Sequence, residues 1–145
     1  MRAKRHDLIA SVCLSEVPAG GAAHAALGAL LARVAERFLD WECLIAVQVV
    51  DPDLERAILA LDGNIRILRI TRSAGHYERR SIVLREAIGD VVALVDPSEI
   101  DVVDPIDMLE QVIRHNAVVQ ARGDGRAGAG WVSACVGAGA GLRVS

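Results

Sequence analysis

Short apolar runs alternate along this chain with stripes of apolar residues at helical spacing, and the alternation defines its elements. Residues 8–14 form an apolar run with Ile9 and Val12, the pattern of a buried strand, closed by Pro18, Gly20 and Gly21. Over residues 24–41 the positions Leu27, Leu30, Leu31, Val34, Phe38 and Trp41 fall on one helical face. Residues 43–50 are nearly all apolar and rich in β-branched side chains, as in a strand covered on both faces. Asp51 and Pro52 then supply the cap and first residue of a short helix over 52–61. Gly63 ends that helix, and residues 65–70 give a third strand interrupted by Arg66 and Arg69.

A loop over 71–76 leads to a helix over 77–88, with Val83, Leu84, Ala87 and Ile88 inward and Gly89 as its stop. The apolar strand 91–95 ends at Asp96. Asp104 and Pro105 open a helix carrying Ile106, Leu109, Val112 and Ile113 on one face, and residues 117–121 form a fifth strand. This order predicts an α/β fold with a mainly parallel sheet and helices on both faces, a Rossmann-like three-layer sandwich, because right-handed crossovers need that arrangement. The run 91–95 is expected to be a central buried strand beside 8–14. Ligands of such sheets sit at the carboxyl ends of the strands, which singles out Ser15 and Glu16, Gln48 to Asp51, Thr71 to His76, and Asp96 to Glu99.

Composition bounds the possibilities. At 145 residues with 52% hydrophobic content the chain reads as one domain over 1–145 that buries a core without metals or cross-links. Cys13, Cys43 and Cys135 are too widely spaced for a disulfide frame and read as small core residues. A net charge of −3 with scattered basic residues excludes nucleic acid as a partner. The amino terminus has no apolar core of a signal peptide, so a cytoplasmic location is expected, with peripheral membrane association open. His6, His24, His76 and His115 are too scattered for a metal cluster. Gly123, Gly125 and Gly128 fit Gly-X-Gly-X-X-Gly, but they follow the last strand instead of the first, and no acidic residue comes after Asp124.

Within residues 64–99 the stretch ILRITRSAGHYERRSIVLREAIGDVVALVDPSE resembles the family-2 glycosyltransferases around their Asp-X-Asp motif, including the polyprenyl-phosphate transferases. Gly75, Arg80, Ala87, Gly89, Asp90 and Asp96 fall without a gap on that family's strand end, Ala-Arg-Asn helix, Ala-X-Gly-Asp turn and Asp-X-Asp strand. Departures fall at the chemistry. Ser73 and Ser81 stand for asparagines, and Ser98 stands for the last Asp of Asp-X-Asp. Ser15, Glu16 and Val17 replace Pro-X-Tyr, and Val47 and Gln48 replace an Asp pair for which Asp51 is the nearest substitute.

The resemblance implies a GT-A fold binding a nucleotide-diphospho-sugar through Ser15, Glu16, Gln48, Asp51, Gly75, Arg80, Asp96 and Ser98. A divalent metal, Mg²⁺ or Mn²⁺, would rest on Asp96 and Glu99. It also implies a lipid-linked acceptor and a chain that stops before the family's catalytic base, with an exposed sheet edge or a homodimer. Plainer readings stand beside these. Asp96 before Pro97 starts a turn, Asp51 caps a helix, Glu99 is a solvated charge, and Arg80 shares a solvated helix face with Arg79 and Arg85. The competing functional reading is a non-catalytic glycosyltransferase module for weak nucleotide binding or protein interaction.

Overall fold

A computed structural model describes residues 5–18, 20–49, 51–61, 63–71, 73–97, 100 and 104–115, and the backbone of 119–122 and 131–136. The elements are β1 (Ala10–Leu14), α1 (Gly21–Arg37), β2 (Trp41–Val47), α2 (Pro52–Leu59), β3 (Ile65–Arg69), α3 (His76–Glu86), β4 (Val91–Val95), α4 (Pro105–His115), β5 (Val119–Arg122) and β6 (Trp131–Val136). They form one sheet of order β3-β2-β1-β4-β6-β5. The first four strands are parallel, and β6 runs antiparallel to both its neighbours. The α/β fold expected from the sequence is therefore the fold observed, with β4 paired to β1 and buried at every position.

The two sheet faces sort the side chains by alternation. Ala10, Val12, Leu14, Cys43, Ile45, Val91, Ala93 and Val95 pack with Leu27, Leu30, Leu31 and Val34 of α1, Ile58 of α2, and Met108, Leu109 and Val112 of α4. Cys13, Leu44, Ala46, Val92 and Leu94 pack with Val83 of α3, flanked by Ile82 and Leu84. Both faces of β1 and β4 are covered, which is why these strands are apolar except at Ser11, whose hydroxyl is hydrogen-bonded. On the edge strand β3 the pattern opens, and Arg66 and Arg69 are exposed.

Several expectations change in detail. The first helix stops at Arg37, and Trp41 begins β2 instead of ending the helix. Its ring lies where a Cβ on Gly63 would stand, and Gly63 has φ of 147°, a left-handed conformation that suits glycine. Because α3 ends at Glu86, Ile88 falls in the following turn and is exposed, not inward. The strand β6 adds to the expected elements, and β5, Val119–Arg122, falls on the expected fifth strand, whose residues 117 and 118 lie outside the described residues. Cys13 and Cys43 are buried core residues, as the sequence suggested, while the side chain of Cys135 lies outside the described residues.

Two polar networks fasten this frame. Glu42, only 3% exposed, accepts at Oε2 from Ser11 Oγ and from the Ile88 N–H, both at 2.9 Å, and at Oε1 from Arg66 at 3.1 Å. Ser11 Oγ in turn accepts the Gly89 N–H at 2.8 Å. The turn between α3 and β4 is thus tied to β1 and β2 at the amino end of the sheet. Burial, then the charge of Glu42, pushes the Cys43 thiol up to about 12, which keeps it protonated and inert. On the other face Asp104 caps α4, accepting from the Ile106 N–H at 3.0 Å and the Asp107 N–H at 3.3 Å, and pairs with Arg33 of α1 at 2.7 Å.

Removing the Glu42 carboxylate leaves the buried Ser11 hydroxyl and the part-buried Ile88 amide without their acceptor and deprives Arg66 of its ion pair, so Glu42→Ala should cost about 3 kcal/mol in urea unfolding. A loss below about 1 kcal/mol would contradict the network's role. A Cβ at Gly89 would stand 2.6 Å from Ser11 Oγ and 2.7 Å from Ser11 N and Val91 O, so Gly89→Ala should also destabilise, by about 1–3 kcal/mol. Burial raises the Asp104 pKa, but the Arg33 hydrogen bond and the helix N–H groups outweigh it, and the net shift is downward from 3.8. A depressed carboxylate contributes stability that is present above its unfolded pKa and lost as pH falls through the folded one. Asp104→Asn should therefore flatten the acid limb of the stability profile below about pH 4, and an unchanged limb would contradict the linkage.

Candidate functional site

The site follows from where parallel strands end. Leu14 is level with Ile45 on one side and Val95 on the other, so the segments leaving β1, β2 and β4 emerge together at one sheet edge. The chain then departs toward α1 and α2, and a partly open cavity of about 360 Å³ remains between the ends of β1 and β2. That volume is at the small end of the range for ligand sites. Its walls are Ser15, Glu16 and Val17 after β1, Ala46, Gln48 and Val49 at the end of β2, Asp51 and Leu54 of the α2 start, and Arg79 of α3.

Four of the residues singled out from sequence, Ser15, Glu16, Gln48 and Asp51, share this cavity. Ser15 is buried, Gln48 half-buried, and Glu16 and Asp51 exposed. Asp51 also performs its plainer task, capping α2 by accepting the Leu54 N–H at 3.2 Å with Pro52 as the next residue. Val17, Val49 and Leu54 give the cavity apolar surface beside these polar groups.

The arginine in the cavity is Arg79, and Arg80 is not among the lining residues. The half-buried Arg79 guanidinium donates from Nε to the Ser15 carbonyl at 3.1 Å and from Nη1 to Gln48 Oε1 at 3.3 Å and the Ala74 carbonyl at 2.8 Å. It thereby joins the loops that follow β1, β2 and β3. Adjacent arginines on a helix point about 100° apart, so the helix phase decides which one faces the sheet. Arg79 and Arg80 lie four and three residues before the buried Val83, so both flank its helical face, and it is the bonds to Ser15, Gln48 and Ala74 that place Arg79 in the cavity wall.

The remaining candidates lie elsewhere. Gly75 is the N-cap of α3, with no atom within 4 Å of where a Cβ would stand. Asp96 follows Val95, so it leaves the sheet beside Ser15 at the junction of β1 and β4, half-buried but outside the cavity lining. Ser98 and Glu99 lie outside the described residues. Among the described residues no group of three or more His, Cys, Asp or Glu side chains is placed to hold a metal ion. Among the described residues no helix is long and apolar enough to cross a membrane.

No family model matches the chain, and no curated protein does. Among solved structures it is similar to the 4-diphosphocytidyl-2C-methyl-D-erythritol synthase of Anaerococcus prevotii, with a TM-score of 0.62 and 16% identity over 83% of this chain and 57% of that one. It is also similar to a CMP:2-keto-3-deoxy-manno-octonic acid synthetase complexed with CTP, with a TM-score of 0.53 and 19% identity over 79% of this chain and 51% of that one. A mannosyltransferase of Pyrobaculum calidifontis in complex with GDP-Man and Mn²⁺ aligns at a TM-score of 0.39 and 11% identity, over 63% of this chain and 28% of that one, which is too slight to carry an argument. The chain thus spans about half the length of the first two structures. At these identities the likeness shows the fold alone, a Rossmann-like α/β sheet.

The double position of Asp51, helix cap and cavity wall, separates two effects. Asp51→Ala should lower stability by about 1 kcal/mol through the lost cap, whereas Asp51→Asn, also a good cap, should restore most of it. Equal destabilisation by both in urea unfolding would contradict the capping role.

Proposed function

We propose that this chain is a glycosyltransferase-like domain that binds a nucleotide-diphospho-sugar in the cavity at the carboxyl ends of β1 and β2. The observation that supports it is the convergence of Ser15, Glu16, Gln48 and Asp51, singled out from strand-end position and family resemblance, around one cavity. Carboxylates at Glu16 and Asp51 suit ribose hydroxyls and base amino groups, which donate hydrogen bonds. Val17, Val49 and Leu54 suit the apolar faces of a nucleobase. Sugar transfer is not expected of this chain alone, since Ser98 puts a neutral hydroxyl where the family resemblance implies a carboxylate. A cytidine nucleotide is the second reading, because the fold neighbour complexed with CTP aligns over 79% of this chain.

The test is a thermal melt with UDP-, GDP- and dTDP-sugars and with CTP, each with and without manganese, beside a sugar-transfer assay. A ligand at about 100 times its dissociation constant stabilises a fold by about 2.7 kcal/mol, which a melt resolves. The expected result is a shift with at least one nucleotide, weak dependence on manganese, and no transfer. Absence of any shift would contradict nucleotide binding and favour the protein-interaction module, and robust manganese-dependent transfer would contradict the non-catalytic reading.

A further inference from the structure

The Arg79 guanidinium is half-buried, yet the oxygens it touches are neutral ones, the carbonyls of Ser15 and Ala74 and the amide oxygen of Gln48. Arg33, Arg37, Arg56, Arg66 and Arg69 each pair with a carboxylate, but among the described residues no carboxylate stands at ion-pair distance from Arg79. A permanently charged group withdrawn from water favours an anionic partner, and bonds to dipoles alone leave its charge uncompensated. Those dipolar bonds do something else: they take up Nε and Nη1 and so hold the guanidinium fixed in the cavity wall, while Nη2 takes part in none of them. Among the described residues both N–H groups of Nη2 therefore remain to donate.

The rest of the lining narrows what can bring that anion. Glu16 and Asp51 add two negative charges to the same cavity, so a bare polyanion meets repulsion from two sides. The complementary ligand carries its negative charge at one end, for Arg79, and hydrogen-bond donors at the other, for the two carboxylates. Ribose hydroxyls joined to a phosphate have this arrangement.

We propose that Arg79 is the phosphate-selecting residue of the cavity, its Nη2 donating to a phosphate oxygen of a nucleoside phosphate whose sugar and base lie toward Glu16 and Asp51. This rests on the nucleotide reading above and adds to it the group recognised and the residue that recognises it. Titration calorimetry on the full chain with UMP, CMP, uridine, cytidine and inorganic phosphate separates the two. The natural chain should bind a nucleotide about 10- to 100-fold more tightly than its nucleoside, the range of one charge-assisted contact. Arg79→Met, which keeps the aliphatic stem, should reduce that preference to within about threefold while nucleoside affinity is retained. Arg79→Lys keeps the charge without the fork, so part of the preference should survive, and it provides the reading if the methionine variant does not fold. Arg85→Met, an exposed position on the same helix, should leave the preference intact.

A merely structural Arg79 would weaken nucleotide and nucleoside alike, so an unchanged preference in both Arg79 variants overturns the inference. Nucleotide and nucleoside binding equally to the natural chain overturns it too while leaving the nucleotide reading in place. Inorganic phosphate binding as tightly as a nucleotide would show an anion site without nucleoside recognition, again against it. Binding of none of the five overturns both.

Discussion

Parallel pairing of β1 with β2 on one side and β4 on the other is the constraint from which the rest of the molecule follows. Parallel strands cannot be joined by tight turns, so each connection must cross a face of the sheet, and the helices that do so bury both faces of the central strands. Every side chain of β1 and β4 is then withdrawn from water, and only apolar or fully bonded polar residues are tolerated there. The same pairing brings the carboxyl ends of β1, β2 and β4 to one edge. Because the chain moves from β1 out to β3 before returning to β4, the departing segments diverge and leave an opening there.

The two ends of the sheet use polar groups in opposite ways. At the amino end Glu42, Ser11, Arg66 and the N–H groups of Ile88 and Gly89 satisfy one another in a closed network, which costs desolvation but fixes the turn into β4. At the carboxyl end Arg79 draws three loops together with bonds to neutral oxygens, and the carboxylates of Glu16 and Asp51 stand exposed at the cavity. One network is complete within the protein. The other is arranged around a space, and that contrast is what makes the carboxyl end the candidate site.

Much of the fold was legible because its elements carry unambiguous periods: the apolar run 91–95 and the face of Leu27, Leu30, Leu31 and Val34 each admit one reading. Boundaries were less so. Trp41 continues the helical stripe by spacing, yet strand pairing with Ala10 claims it for β2. Ile88 looked inward by composition, but Gly89 needs to lie against Ser11 too closely for the helix to continue that far. The strand β6 was hidden in a Gly- and Ala-rich tail, since a six-residue antiparallel strand inserted between β4 and β5 depends on tertiary pairing that no local pattern encodes. In the site, strand-end logic found Ser15, Glu16, Gln48 and Asp51, whereas family spacing drew attention to Arg80. Helical spacing from Val83 admits both Arg79 and Arg80, and only the tertiary bonds to Ser15, Gln48 and Ala74 reveal that Arg79 is the arginine in the cavity wall.

The proposed occupant of the opening between β1 and β2 is a nucleotide. Amide chemical-shift mapping by NMR, with a nucleotide titrated into the isotope-labelled chain, tests it most directly. Saturable shifts are expected at Ser15, Glu16, Gln48, Asp51 and the first turns of α2 and α3, with the Glu42 network at the other end of the sheet unmoved. Shifts gathered instead around Glu42, Ile88 and Gly89, or no saturable shifts with any nucleotide, would contradict it.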